Sequence, residues 1–224
     1  MYEMLRTKSL FSFPQHTIAW QYLSQFHFPW QSLENLKEFL MELGKSLSKD
    51  RYEQTSEGVY VARSAKIASF VHIEGPAIID EDAELRTGAF LRGGVLVGKE
   101  AVVGNSTEIK NSILFDGVQV PHFNYVGDSI LGYRSHLGAG AVTSNVKSDK
   151  SEVSILYGEE RIPTGRRKFG AILSDFVEVG CHSVLNPGSI IAEHSNVYPL
   201  TSVRGYVPPY HIYKSRDEVV LKKP

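Results

Sequence analysis

The sequence predicts an all-β solenoid, a parallel β-helix of short stacked strands, and three observations support that prediction. Aliphatic residues recur at every sixth position from Val61 to Ile109, a period that suits neither an α-helix nor a hairpin. A small or β-branched residue stands two positions before each of them from Ile67 onward. The same register returns between Leu173 and Val203. Two inward positions in every hexad suit coils of three strands, about 18 residues long and stacked about 4.8 Å apart.

Burial in such a triangular prism is shared between neighbouring coils. Each coil removes apolar area from water against the coils on both sides, at roughly 25 cal/mol per Å², so a single coil would not persist alone. The prism leaves open ends and flat faces, and the helices and the tail are available to cover some of them. We therefore expect self-association.

Residues 1–58 are predicted to form a helical segment, either a cap over the end of the prism or an arm used in oligomerisation. Ser32 is expected to cap the second of two helices, Gly44 to stop it, and Pro29 to separate the two. The helical spacing comes from two apolar stripes, Ile18, Tyr22, Leu23 and Phe26 in the first helix and Leu33, Leu36, Leu40 and Leu43 in the second.

The prism is predicted to span residues 59–205, with one interruption. Residues 146–170 are polar and lack the repeat, which indicates a loop excursion, with a hairpin around Glu159 and Glu160. Residues 206–224 form a C-terminal tail in which Pro208 and Pro209 end the last coil. We expect that tail to be an extended arm.

Composition narrows the classes of function. A formal net charge of −1 over 224 residues gives no reason to expect a nucleic-acid partner. One cysteine, Cys181, and no charged leader before an apolar stretch favour the cytoplasm. No apolar run approaches the roughly 20 residues of a membrane helix, so no membrane partner is expected.

The segments RTGAFLRGG, EIKNS, PHFNYVGDSILG, HLGAGAVTSN and KFGAILSDFVEVGCHSVLNPG carry a family resemblance. They resemble the hexapeptide-repeat acyltransferases, and most closely the acetyltransferase domain of the bifunctional bacterial enzyme that joins glucosamine-1-phosphate acetyltransferase to N-acetylglucosamine-1-phosphate uridyltransferase. The resemblance covers most of residues 60–205, and His-x-x-Tyr-x-Gly-Asp is its most specific part. It implies a left-handed β-helix, acetyl-CoA as the acyl donor, an amino sugar phosphate as the acceptor, and a homotrimer.

His122 is the candidate general base. Its imidazole can accept a proton near neutral pH, which a sugar amine must lose as it attacks a thioester, and the resemblance assigns this role to the same histidine. The aliphatic rows shorten from steps of six to steps of five between Ile109 and Leu114 and between Val126 and Leu131. We interpret the shortened steps as the feature that turns His122 toward a groove. The alternative is a corner histidine bonded to backbone.

The resemblance further implies that a backbone N–H near Gly138, Ala139 and Gly140 holds the oxyanion of the tetrahedral intermediate. Arg92 and Lys110 are separated by one full coil of the repeat, so they should stack on one edge and bind an anion such as a sugar phosphate. Two solvated surface cations are the alternative.

Other site residues are implied by the resemblance alone. Tyr125 and His136 take the positions that contact the sugar, although His136 stands where the family has asparagine. Cys181 is expected to be a small packing residue rather than a nucleophile, because no base is paired with it. Lys168 joins Arg166 and Arg167 in a basic cluster suited to phosphates, unless that loop is merely solvated. The positions along the coenzyme A groove are Ala139, Asn145, Lys168, Cys181, Pro199 and Lys214.

Three other functions occur to different degrees in proteins with this repeat or this family resemblance, and the sequence bears on each of them. Nucleotidyl transfer needs a glycine-rich phosphate loop, which the segment before Val61 lacks. A non-catalytic module that binds a sugar nucleotide or a separate nucleotidyltransferase stays open, because His136 departs from the family pattern. A zinc hydratase is disfavoured, because His122 and His136 do not form the close i, i+5 pair common in such sites, and His182 and His194 fall on other coils.

Overall fold

The computed structural model describes residues 2–223. Short α-helices span Thr7–Leu10 (α1), Trp20–Leu23 (α2) and Leu36–Ser46 (α3), with 3₁₀ turns at Glu3–Leu5, Pro14–His16 and Pro29–Leu33. The strands in chain order are β1 Tyr52–Ser56, β2 Val59–Ala62, β3 Lys66–Ile67, β4 His72–Glu74, β5 Ala77–Ile79, β6 Glu84–Leu85, β7 Phe90–Arg92, β8 Val95–Val97, β9 Val102–Asn105, β10 Glu108–Lys110, β11 Ser112–Leu114, β12 Gln119–His122, β13 Tyr125–Gly127, β14 Ile130–Leu131, β15 His136–Leu137, β16 Val142–Thr143, β17 Ser154–Tyr157, β18 Glu160–Pro163, β19 Ala171–Leu173, β20 Glu178–Val179, β21 Val184–Leu185, β22 Ser189–Ile191, β23 Asn196–Val197, β24 Ser202–Val203, β25 Tyr206–Val207, β26 His211–Ser215 and β27 Glu218–Leu221.

Successive strands pass in turn to three sheets, so each coil of the chain contributes one strand to every face of a triangular prism. Sheet A has the order β1-β2-β5-β8-β11-β14-β19-β22-β25, sheet B the order β27-β26-β23-β20-β15-β12-β9-β6-β3, and sheet C the order β24-β21-β16-β13-β10-β7-β4. Neighbouring coils pair in parallel, as β10 does with β13. The predicted fold class, an all-β solenoid of hexapeptide repeats with a short N-terminal helical segment, is confirmed. None of the helices among residues 2–223 has the length and apolar character to cross a membrane.

Two apolar rows are buried on sheet A, one on each face of the sheet. The inward row of the hexads includes Ile79, Val97 and Leu114, each with 0% exposure. Adjacent residues on a strand point to opposite faces, so their neighbours form an outward row that is also fully buried. That outward row consists of Ile78, Leu96, Ile113, Ile130, Ile172 and Ile190.

The N-terminal helical segment covers the outward row of sheet A. Leu36 and Leu40 of α3 are fully buried in one cluster with Ile78 and Leu96, and β17 of the excursion packs near β22 and β25 farther along the prism. The expectation of a cap over an end of the prism is therefore wrong, and of the ends and faces that needed a cover it is a face that the helices cover. They cover it because sheet A carries apolar side chains on both sides.

Local details of the helical segment also differ from expectation. Of the first predicted helix only α2 is α-helical, and α3 begins after Asn35 rather than after a Ser32 cap. Ser32 is buried and donates to the carbonyl of Pro29 at 2.7 Å. Gly44 lies inside α3 and does not stop it, and a Cβ there would lie 2.2 Å from the ring of Tyr60. Close approach of α3 to sheet A is the reason for glycine at this position.

One sheet edge at each end of the prism is covered by an antiparallel strand. At the N-terminal end β1 pairs with β2, and at the C-terminal end β27 pairs with β26. The segment after Pro209 is therefore not an extended arm, because β26 continues sheet B in parallel with β23. The hairpin predicted around Glu159 and Glu160 is present, with Tyr157 opposite Glu160 in the β17–β18 pair.

The shortened steps occur at the corner where the chain passes from sheet C to sheet A, which we name the CA corner. Asn111 and Asp128 make these tight turns in the left-handed region, with φ of 46° and 48°. His122 lies at a different corner, between sheets B and C, within the regular step from Val120 to Val126. The interpretation that a shortened step orients His122 is therefore wrong.

Candidate functional site

Four predicted site residues form a column at the corner between sheets B and C, which we name the BC column: His122, Ala139, Cys181 and Pro199. Backbone hydrogen bonds join successive coils there. Gly140 N donates to His122 O at 3.0 Å, His182 N to Ala139 O at 2.8 Å, and Leu200 N to Cys181 O at 2.9 Å. Three strand spacings separate the first coil from the last, about 14 Å. Residues far apart in the sequence thus share one edge of the prism.

The His122 side chain is exposed, and its imidazole has no hydrogen-bond partner among residues 2–223. Its backbone is held firmly, because the buried Asn124 side chain accepts from His122 N at 3.1 Å. The same Asn124 amide donates to the carbonyls of Gly138 and Ala141 at 2.9 and 3.0 Å. Asn124 therefore fixes the histidine coil to the next coil, a role that the sequence did not reveal.

One backbone amide beside His122 is available for an oxyanion. Gly138 N donates to Val179 O and Gly140 N donates to His122 O. Ala139 N has no acceptor within the described part of the chain. Of the three amides that the resemblance implied, the geometry therefore leaves Ala139 N–H free to bind a ligand oxygen.

Arg92 and Lys110 end neighbouring strands of sheet C, as their one-coil separation predicted. β7 and β10 pair with Leu91 opposite Ile109. Arg92 is not free, however, because its guanidinium lies 2.6 Å from the carboxylate of Glu108. The sequence analysis did not predict a role for Glu108, although this residue lies in the EIKNS segment.

The Tyr-x-Gly-Asp part of the specific motif forms a hydrogen-bonded network with Asn145. Asn145 Nδ2 donates to Tyr125 Oη at 3.3 Å and to Asp128 Oδ2 at 2.5 Å, and Asn111 Nδ2 donates to Asp128 Oδ1 at 2.8 Å. Burial raises the pKa of the Tyr125 phenol, and the negative charge of Asp128 raises it further. The phenol therefore keeps its proton at neutral pH.

Gly127 makes room for this network. A Cβ at position 127 would lie 2.5 Å from Tyr125 Oη and 2.8 Å from Asn145 Nδ2. The Tyr125 side chain thus passes over Gly127 to reach Asn145, which accounts for the glycine of the motif. Asn145 lies beside Tyr125 and Asp128, away from the BC column.

A basic cleft of about 420 Å³ adjoins the network, between the helical segment, the CA corner and the excursion. It brings together Lys110, predicted for the sugar phosphate, and Lys168, predicted for a phosphate of coenzyme A or of the sugar. Arg166 joins the excursion to the helical segment through Glu34, at 3.8 Å. Lys37 of α3 is a cation that the sequence prediction missed. The charged lining residues are the cations Lys37, Lys110, Arg166, Arg167 and Lys168 and the anions Glu34, Glu38 and Asp128.

Two predicted residues, His136 and Lys214, lie outside both the BC column and the basic cleft. His136 lies on the face of sheet B, with Nδ1 2.7 Å from Glu178 Oε2, and lines a separate cavity of about 480 Å³. Lys214 lies beyond the BC column, 5.8 Å from the ring centre of Tyr198. Cys181 is exposed, so the expectation of a packing residue is wrong.

The chain is similar to several known proteins. The chain is 33% identical over 159 residues to a bifunctional sugar-1-phosphate nucleotidylyltransferase/acetyltransferase of Sulfurisphaera tokodaii, covering 63% of this chain and 40% of that protein. It is 30% identical over 168 residues to the bifunctional protein GlmU of Acidovorax sp. (strain JS42), covering 74% and 34% respectively. A solved structure of a hexapeptide transferase family protein from Anaplasma phagocytophilum is 17% identical to this chain, with a TM-score of 0.43. The match covers 75% of this chain and 81% of that protein.

The chain spans about two fifths of the length of the first relative and one third of the second. The names of these relatives confirm the resemblance predicted from the sequence. Residues 73–207, more than half of the chain, match the family described as the GMPPB C-terminal domain. The chain therefore belongs to the GMPPB C-terminal domain family.

Proposed function

We propose that this protein is an N-acetyltransferase that uses acetyl-CoA to acetylate an amino sugar phosphate, such as glucosamine 1-phosphate. The observation that carries the proposal is the BC column, in which the free imidazole of His122 lies one coil from the free N–H of Ala139. A general base and an oxyanion donor on one edge are what acyl transfer to an amine requires.

In this mechanism His122 removes a proton as the sugar amine attacks the thioester carbon, and Ala139 N–H stabilises the oxyanion. The thiolate of coenzyme A then leaves and takes up the proton that His122 removed from the amine. Lys110 and the other cations of the basic cleft bind the sugar phosphate, and Tyr125 orients the sugar. Arg92 takes part once the phosphate competes with Glu108 for its guanidinium.

The proposed donor site runs along the BC column from His122 toward Pro199 and Lys214. It is completed by other copies of the chain in a homotrimer. Phe123 and Leu200 support this part of the proposal, because they lie in the turns of the same corner with exposures of 61% and 82%. Light scattering of the purified chain should give three times the monomer mass, and a monomer at micromolar concentration would contradict a shared site.

The experiment that tests the function is thiol release from acetyl-CoA with glucosamine 1-phosphate as acceptor. His122→Ala should lower kcat/KM by about 10²- to 10⁴-fold, the usual contribution of a general base. His72→Ala, an exposed histidine on β4, is the matched control and should keep wild-type turnover. Equal turnover of the two variants would remove His122 from the mechanism.

A substrate panel separates catalysis from binding alone. Glucosamine 1-phosphate, with one phosphate group, and UDP-glucosamine, with a diphosphate, should be compared at equal concentration. Both are tested because five cations line the basic cleft. Measurable affinity for either compound, without acetylation of either compound, would favour a non-catalytic binding module over an acetyltransferase.

A further inference from the structure

The excursion hairpin, the last coil and the C-terminal tail meet around a cavity of about 400 Å³ near the C-terminal end of the prism. Arg161 comes from β18, Arg204 from the CA corner after β24, and Arg216 from the turn between β26 and β27. Gly205 has a φ of 76°, and a Cβ there would lie 2.3 Å from Leu156 O. The hairpin thus packs directly on this corner, which brings Arg161 close to Arg204.

None of the residues that line this cavity is acidic. The remaining lining residues are Ser154, Leu156, Pro187 and Gly205, none of which carries a charge. The three guanidinium groups take no part in the ion pairs of arginine found within residues 2–223. Those pairs involve Arg6, Arg51, Arg63, Arg86, Arg92 and Arg166.

Three unpaired arginines around one cavity favour an anion with several oxygens. Like charges held together repel one another, and an anion between them reverses the sign of that interaction. The planar guanidinium fork matches phosphate oxygens in pairs, so a phosphate ester or diphosphate is the matching chemistry.

The cavity is separate from the basic cleft that contains Lys110. Lys110 ends β10, Arg204 follows β24, and four strand spacings of sheet C lie between those strands, about 19 Å. One sugar phosphate cannot reach both places. A longer ligand such as a nucleotide can span this distance. Arg204 lies in the same coil as Pro199, the last residue of the BC column.

We propose that Arg161, Arg204 and Arg216 bind the phosphate groups of a nucleotide. Two sources share this chemistry. One is the 3′-phosphate and diphosphate of coenzyme A, with the thioester near His122, and this source rests on the proposed function. The other is a free nucleoside diphosphate or its sugar ester, and this source does not depend on acetyl transfer.

Calorimetric titration of the full chain tests the site with coenzyme A, 3′-dephospho-coenzyme A, UDP and pyrophosphate as probes. Arg161→Ala, Arg204→Ala and Arg216→Ala should each weaken the bound ligand by roughly tenfold or more, as loss of a charged hydrogen bond does. Arg63→Ala, at the other end of the prism, is the control and should leave affinity unchanged. Circular dichroism and melting of each variant establish that it is folded.

The outcomes separate the sources. Weaker binding of coenzyme A in the three variants, with a smaller loss for the 3′-dephospho form, supports the first source, and KM for acetyl-CoA should then rise while kcat holds. Unchanged coenzyme A affinity with weaker UDP or pyrophosphate binding supports the second. Wild-type affinity of folded variants for all four probes would overturn the site. Loss of turnover in His122→Ala does not bear on this result, so the two proposals can fail separately.

Discussion

Gly127→Ala should destabilise the protein through a contact between two side chains of the candidate site. The new methyl would lie 2.5 Å from Tyr125 Oη and 2.8 Å from Asn145 Nδ2. Ordinary van der Waals contact is 3.4–4 Å, so the Tyr125 ring must move by roughly 1 Å. Overpacking of this kind costs about 1–3 kcal/mol, and the displaced hydrogen bond between Asn145 and Tyr125 costs about 1 kcal/mol more.

The assay is denaturant unfolding, supported by melting. We expect the free energy of unfolding to fall by about 3 kcal/mol and the melting temperature by roughly 6–12 °C for a chain of this size. The control is a double-mutant cycle with Tyr125→Ala, which removes the ring that the methyl meets. In that background the cost of Gly127→Ala should drop by about 1–3 kcal/mol, because only the Asn145 contact remains. Equal costs in both backgrounds would refute the argument that the ring is the obstacle.

Three further predictions concern Asp175, Gly44 and Cys181. Burial raises the pKa of Asp175 from 3.8 to about 6, so between these pH values the folded state holds a proton that the unfolded state has lost. The free energy of unfolding, measured with urea, should therefore fall by up to about 3 kcal/mol as pH rises from 4 to 7. This pH dependence should vanish in Asp175→Asn. Gly44→Ala places a methyl 2.2 Å from the Tyr60 ring and should lower the free energy of unfolding, measured by melting, by about 1–3 kcal/mol. The loss should be smaller in a Tyr60→Leu background. An equal loss in both backgrounds would exclude the ring contact. Maleimide should label the exposed Cys181 in the folded protein, coenzyme A should slow the labelling if the donor binds along the BC column, and an unchanged rate would argue against donor binding there.

The period of six was enough to predict the prism, because the inward positions of a parallel β-helix follow directly from the repeat. It also placed Arg92 one coil from Lys110. The sequence also contains a pattern that indicates the outward row of sheet A. Ile78, Leu96 and Ile113 recur once in every coil, and an apolar residue at that spacing on the outer face indicates a covered sheet.

The sequence by itself determined the coil, the hexad register and the family, since each depends on neighbours or on a fixed repeat. Only the tertiary structure decided which face the helices cover, which amide in the BC column stays free, and how Asn145 joins Tyr125. It also brought Arg161 to Arg204 and Arg216 through docking of the hairpin and tail. These contacts depend on how segments without the repeat pack on the prism, and that packing follows from shape and burial over the whole surface, which no local spacing encodes.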